Sequence, residues 1–185
     1  GADADHLLRA RGKMCVPLEN LGRLDDAMDI YRSSIELART EGMQTHLGRM
    51  LLSAGRLMCL RGDLQEGFDL LQQSLDIFEE SEDEDMIGRV YSNLGMFHFR
   101  KGEHSEAERY SSRFLDISRR LGNLPHQCMA VGMLAVMAQN QNRLDDALAL
   151  NRAQLKLSRK LGLKQCESTA LTNLGSVFAE MGDLR

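Results

Sequence analysis

Apolar residues recur along this chain with the three- and four-residue spacing of amphipathic helices. Ile87, Val90 and Leu94 share one helix face, and Ala107 and Phe114 lie on the corresponding face of the next segment. No segment shows the period-two alternation that is typical of strands. Continued along the chain, the pattern predicts nine helices, with expected spans of 4–20, 24–40, 45–60, 64–80, 85–100, 104–120, 125–140, 144–160 and 165–181.

Mostly small residues recur at intervals of 40 residues, both in the expected turns and inside the expected helices. Two interleaved turn series consist of Gly22, Gly62, Gly102, Asn142 and Gly182, and of Gly42, Glu82, Gly122 and Gly162. Two further series, expected inside helices, are Ala27, Gly67, Ala107 and Ala147, and Gly55, Gly95, Ala135 and Gly175. A fixed period of this size indicates a stack of repeats, because one unit alone cannot bury its apolar face. The predicted fold is all-α, a right-handed α-solenoid of nine antiparallel helices.

The period divides the chain into about four and a half helical hairpins. Their expected limits are 4–42, 43–82, 83–122, 123–162 and a partial fifth at 163–185, all within one repeat domain over 1–185. We name the first helix of each hairpin A and the second B. Because the chain does not begin with Met, we expect a fragment of a longer protein.

The two prolines test this assignment. Pro125 falls where an A helix should begin, a position that tolerates a residue without an amide hydrogen. Pro17 falls inside the first A helix, where it removes a hydrogen bond and clashes with the preceding turn. We therefore expect a kink or break near Lys13–Pro17.

The composition favours no enzymatic or nucleic-acid function. Charged residues make up 27% of the chain and the net charge is -4, without the basic surplus of nucleic-acid binders. The five histidines and four cysteines have no metal-ligand spacing, and no phosphate-binding glycine loop or nucleophile motif occurs. We expect no enzyme activity, no cofactor, no metal, no membrane segment, and reduced cysteines in the cytoplasm.

Several segments resemble the tetratricopeptide repeat (TPR) family. The B-helix halves include LGRLDDAMDIYRSSIELARTEG, and the A-helix halves YSNLGMFHFRKG and LTNLGSVFAEMG supply the Leu-Gly pair and closing Gly of that family. The usual period is about 34 residues, so each helix here should gain almost a turn. This longer form resembles kinesin light chain, Pins-type adaptors and bacterial TPR regulators. HEAT-type stacks are the structural alternative, but they lack the Leu-Gly register.

The resemblance implies that A helices line a concave groove. On the third A helix, Arg89, Asn93, Met96 and Arg100 follow one stripe away from the core. Asn93 and Asn173 directly precede Leu-Gly, where related domains use asparagine to hold an extended peptide. The predicted peptide-binding residues are Arg49, Arg56, Arg89, Asn93, Met96, Phe99, Arg100, Met133, Asn140 and Asn173.

These residues indicate an interaction module that binds an extended, acidic segment of a protein partner with apolar anchors. The alternative is a regulatory or peptide-sensing domain of a larger signalling or transcription-regulatory protein. A purely architectural stack, or a solvated arginine-rich face, remains open at this point. Leu171, Leu174 and Phe178 on the fifth A helix predict an exposed apolar surface near Arg185, and with it either self-association or further repeats in the parent protein.

Overall fold

The computed structural model describes residues 2–183, so Gly1, Leu184 and Arg185 of the predicted domain lie outside it. Within this range the chain forms α-helices and short turns, without strands. The helices are α1 Ala2–Asn20, α2 Leu24–Thr40, α3 Gln44–Arg61, α4 Leu64–Glu80, α5 Glu84–Arg100, α6 His104–Arg120, α7 Leu124–Asn140, α8 Leu144–Leu161 and α9 Lys164–Asp183. None of these helices is long and apolar enough to cross a membrane.

The predicted turn series sets the helix ends. Each of the turn glycines from Gly22 to Gly162 has a positive φ, between 64° and 97°. Glu82 and Asn142 occupy the two positions without glycine and have the same left-handed conformation, with φ of 53° and 57°. The residue after each of them donates its amide five residues back, as Asp63 does to the Met58 carbonyl at 3.0 Å, which closes the helix end. Gly182 departs from the series because α9 continues through it.

Packing divides the chain into two units, residues 1–93 and 94–185. In the first unit, α3 and α4 cross at Gly55 and Gly67, two residues that have no side chain. A Cβ on Gly55 would lie 2.9 Å from the Gly67 carbonyl oxygen, and one on Gly67 would lie 2.5 Å from the Cys59 sulfur. Ser74 uses the same proximity to donate to the Gly48 carbonyl at 2.8 Å. Leu51 and Leu57 of α3 belong to a core shared with α1 and α2, and Leu71 of α4 is fully buried against Gly55.

The second unit repeats this geometry with alanine and serine. A Cβ on Gly95 would lie 2.8 Å from the Ser111 hydroxyl and 3.4 Å from the Ala107 carbonyl oxygen. Ala107 and Ala147 are both fully buried. Ala147 also packs with Ala138 and Val177, which joins α7, α8 and α9 in one cluster. The small residues are therefore required by the close approach of A and B helices.

The prolines behave differently. Pro125 lies in the first turn of α7 as expected, behind Asn123, whose side chain accepts the His126 amide. The predicted break at Pro17 is absent, because α1 runs through it to Asn20. The Pro17 carbonyl still accepts the Leu21 amide at 3.1 Å. Since Pro17 lies in the last turn, only the Lys13 carbonyl loses a helical donor.

Ala107 tests the close crossing. We expect Ala107→Leu to overpack the α5–α6 contact within the second unit and lower the free energy of unfolding by about 1–3 kcal/mol. Thermal and denaturant unfolding followed by circular dichroism measure this effect. Ala153→Leu on the exposed face of α8 is the matched control. Equal stability of the two variants would contradict the packing assignment.

Candidate functional site

Helices that lie one repeat apart also contact each other: A helices do so in both units, and B helices do so in the first. In the first unit, His46 Nε2 of α3 lies 3.1 Å from a carboxylate oxygen of Asp5 in α1. Arg32 of α2 faces Glu66 of α4. In the second unit, Gln139 of α7 donates to the Ser176 hydroxyl of α9 at 2.8 Å. All ten predicted site residues lie on A helices, which places them on these A-helix layers.

Two arginines of the first unit have no acidic partner. Arg49 on α3 is exposed and makes no hydrogen bond or ion pair with any residue of 2–183. Arg89 on α5 is also exposed, and its guanidinium contacts the Met86 sulfur at 3.6 Å. The two positions are one period apart. Their charges are therefore available to a ligand.

Arg56 has a different environment. Its guanidinium forms an ion pair with Glu19 of α1, whose side chain is only 13% exposed. The Tyr31 hydroxyl donates to the other oxygen of the same carboxylate at 2.8 Å. Burial, together with this hydrogen bond, raises the pKa of the Tyr31 phenol. Glu19 lies beside the predicted stripe and offsets the charge of Arg56, which holds α1 against α3.

The asparagines are oriented by their own helices. The Asn93 side-chain amide donates to the Arg89 carbonyl at 2.8 Å, and that of Asn140 donates to the Val136 carbonyl at the same distance. Their side-chain oxygens remain as acceptors. The Asn173 side-chain nitrogen is buried and has no partner in the described part of the chain.

The remaining predicted residues of the second unit are apolar, apart from one cation. Met96 is 41% exposed, and Met133 is half-buried with its methyl group near Gly95. The Phe99 ring meets His104 edge-on, with the ring centroids 5.9 Å apart. Arg100 is exposed and has no partner among residues 2–183. The methionines suit adaptable apolar contacts.

A cavity of about 480 Å³ opens between α7 and α9, lined by Val136, Gln139, Asn140, Thr172, Asn173, Ser176 and Glu180. It brings together two of the predicted residues, Asn140 and Asn173. Sequence reasoning missed Thr172 and the role of Gln139. For Gln139 a usable signal existed, because contacting A-helix residues are separated by 37 or 41 positions, as in Gln139–Ser176 and Asp5–His46.

Titratable groups outside the cavity have structural roles. His98 stacks on Tyr110 with ring centroids 5.2 Å apart, and its Nδ1 lies 2.6 Å from a Glu103 oxygen. Hydrogen bonds from Lys101 and His98 lower the pKa of Glu103. Burial, with the neighbouring Cys166 thiol, raises the pKa of Cys128 to about 12. The described residues contain no cluster of three or more His, Cys, Asp or Glu that could hold a metal ion.

Residues 46–120 match the family model described as tetratricopeptide repeat. This segment consists of tetratricopeptide repeats. The turns, close crossings and helix lengths of the remaining hairpins follow the same pattern, and the fold is an all-α TPR solenoid. The prediction from the Leu-Gly register is confirmed. No curated protein matches the chain in sequence.

Solved structures with similar folds cover almost the whole chain. BtubC (BKLC) from P. vanneervenii has a TM-score of 0.78 at 18% identity, covering 98% of this chain and 83% of its own. Kinesin light chain-like TPR repeats from Podosopora anserina have a TM-score of 0.75 at 14% identity, covering 95% and 87%. A STAND protein with a TPR sensor from Pyrococcus horikoshii has 0.76 at 14%, covering 95% of this chain and 27% of its own. The TM-scores show a similar fold, and at these low sequence identities the similarity extends to the fold alone.

Removing Arg56 tests its structural role. We expect Arg56→Met to lower the free energy of unfolding by about 1–3 kcal/mol, because Glu19 keeps a largely buried carboxylate without its cation. Arg49→Met on the same helix is the control and should leave stability unchanged within about 0.5 kcal/mol. Chemical denaturation measures both. If the two variants unfold at the same denaturant concentration, the Glu19–Arg56 pair is not structural.

Proposed function

We propose that this TPR chain is a protein-interaction module that binds an extended acidic segment along its A helices. The observation that carries the proposal is the pair Arg49 and Arg89 in the first unit, which repeats one exposed cation at one register position. A guanidinium binds a carboxylate through two parallel hydrogen bonds. A local concentration of such groups attracts acidic chains even where the net charge of -4 is unfavourable.

Backbone and apolar contacts would complete this recognition. The Asn93 side-chain oxygen is free to accept a peptide N–H, since its nitrogen already bonds the Arg89 carbonyl. Met96, Phe99 and Met133 offer apolar contact in the second unit, where Arg100 adds one more unpaired cation. Apolar anchors usually contribute most of the affinity, whereas charge mainly governs the association rate. TPR proteins are generally scaffolds, and the proposal requires no catalysis.

The proposed location is the cytoplasm. The four cysteines form no disulfide among the described residues, and three of them are buried. Reduced, buried thiols suit a compartment in which glutathione and thioredoxin keep cysteines reduced.

Charge reversal in the first unit tests the proposal. We expect Arg49→Glu combined with Arg89→Glu to weaken binding of peptides that alternate Asp or Glu with Leu by at least about tenfold, because attraction becomes repulsion. Fluorescence anisotropy of labelled peptides measures the affinity, which should also fall with added salt.

The control variant, Arg152→Glu with Lys156→Glu, makes the same charge change on exposed positions of α8. It should bind the acidic peptides like the unmodified chain. Equal losses of peptide affinity in both variants would show that the effect depends on net charge and not on the position of the arginines. Unchanged binding in the Arg49 and Arg89 variant would refute the acidic-segment proposal.

A regulatory, peptide-sensing role within a larger signalling protein is the second candidate. The similar fold of the TPR sensor in the STAND protein, a signal transduction ATPase, favours it. In this role the same A-helix surface would bind a regulatory peptide or a neighbouring domain.

We further propose self-association through α9. Leu171 and Phe178 are 47% and 51% exposed, although the equivalent Leu51 and Met58 of the first unit are 1% and 3% exposed. A Cβ on Gly175 would meet no atom within 4 Å, whereas one on Gly55 meets α4. Among residues 2–183 no helix covers this face of α9 as α4 covers α3, and an apolar patch of this kind favours association. Leu174, which was expected to share the patch, is only 8% exposed.

Substitution of Phe178 tests this contact. We expect the chain to associate as its concentration rises and Phe178→Glu to weaken that association at least about tenfold, because the charge would be buried at the contact. Analytical ultracentrifugation measures the dissociation constant. Ala179→Glu, at the adjacent exposed position, is the control. A chain that stays monomeric at high concentration would refute self-association.

A further inference from the structure

The cavity between α7 and α9 differs in chemistry from the arginine surface of the first unit. None of its seven lining residues is basic, and its one charged side chain is Glu180. The cavity residues Val136, Asn140, Asn173, Ser176 and Glu180 lie one or two 40-residue periods after the stripe residues Asn93, Met96 and Arg100. A segment bound along the A helices of this unit would therefore meet an acidic position.

The side-chain donors of the cavity are largely used by the protein itself. The Gln139 amide donates to the Ser176 hydroxyl oxygen at 2.8 Å and to a Glu180 oxygen at 2.5 Å. The Ser176 hydroxyl donates to the same Glu180 oxygen at 3.3 Å. Asn140 donates to the Val136 carbonyl at 2.8 Å, and Thr172 to the Ser168 carbonyl at 3.1 Å. The one donor without a partner, Asn173 Nδ2, is buried.

Apart from the second N–H of Asn140, the accessible polar groups that remain without a partner are acceptors. The second carboxylate oxygen of Glu180 and the side-chain oxygens of Gln139, Asn140 and Asn173 accept no hydrogen bond from residues 2–183. A ligand group that fits such a set carries several N–H donors and a positive charge. The volume of about 480 Å³ is ample for one long side chain.

From this acceptor set we propose that the α7–α9 cavity binds the arginine side chain of an extended protein segment. The planar guanidinium presents five N–H donors in a fixed fork, which can reach the carboxylate and the amide oxygens together. A lysine ammonium is a compact point charge and would satisfy fewer of these separated acceptors. This inference rests on the proposed function in one respect, the binding of an extended segment along the A helices.

Short peptides with a single variable side chain test the inference. The probes are capped alanine-glycine peptides with arginine, lysine or citrulline at the centre, together with free L-arginine. Citrulline keeps the shape of arginine without its charge. We expect the arginine peptide to shift the Gln139 side-chain amide and the α7 and α9 backbone amides in ¹⁵N spectra, with a Kd at least about tenfold below that of citrulline.

The other probes separate the alternatives. Lysine should bind more weakly than arginine, and free arginine more weakly than the peptide if backbone contacts contribute. Equal Kd values for the arginine and citrulline peptides would overturn the inference. If free arginine bound as tightly as the peptide, the cavity would be a small-molecule site and the assignment to a protein segment would be wrong.

Glu180→Gln removes the charge and retains an oxygen that can accept from Gln139. We expect it to raise the Kd of the arginine peptide to the citrulline level, with an unchanged melting temperature. Glu167→Gln on the same helix is the matched control, because Glu167 pairs with Arg159 and Lys164 away from the cavity. Arginine binding that survives Glu180→Gln would contradict the proposal. If acidic peptides still bound the first unit in that case, the arginine site would be refuted and the proposed function would stand.

Discussion

Close approach of neighbouring helices is the constraint on which the other features depend. Where α3 crosses α4, the Gly55 backbone lies so near that of Gly67 that an added Cβ would be 2.9 Å from a carbonyl oxygen. At this contact Leu71 of α4 packs against Gly55, while Leu51 and Leu57 of α3 join the core shared with α1 and α2. It also allows Ser74 to bond to the backbone of the adjacent helix. Because the crossing recurs every 40 residues, successive A helices present equivalent positions, and a surface property can repeat or change from one hairpin to the next.

The fold was predictable because its signals are local and redundant. Turn conformation, crossing residues and apolar spacing share one period, so the predicted helix limits differ from the observed ones by at most two residues. Glu82 and Asn142 adopt the left-handed conformation that glycine favours, which shows that the packed helices on either side enforce the turn. The break expected at Pro17 was wrong because a proline in the last turn leaves most of the helix bonded.

The candidate site was less predictable, because it depends on side-chain partners contributed by neighbouring helices. The sequence places Arg56 on the same stripe as Arg49, yet only Arg56 meets a carboxylate, that of Glu19. An arginine on this stripe is paired only if an acidic residue lies 37 positions away, as Glu19 does from Arg56, and if both side chains adopt suitable rotamers. The 40-residue period specifies neither condition. The network of Gln139, Ser176 and Glu180 depends on similar separations. Thr172 had no signal of its own, since it enters the cavity through helix stacking.

The internal bonds of Asn93 and Asn140 have a consequence for selectivity. Each amide nitrogen is held by a carbonyl four residues earlier in its own helix, so the side chain faces a ligand in one orientation before binding. A free asparagine can rotate to donate or to accept. These two are preorganised as acceptors and lose little rotamer entropy when they bind an N–H group. The second N–H of each amide is still available to a ligand carbonyl, but only in the direction that the intrahelical bond leaves open. The surface therefore selects polar ligand groups by their position as well as by their charge.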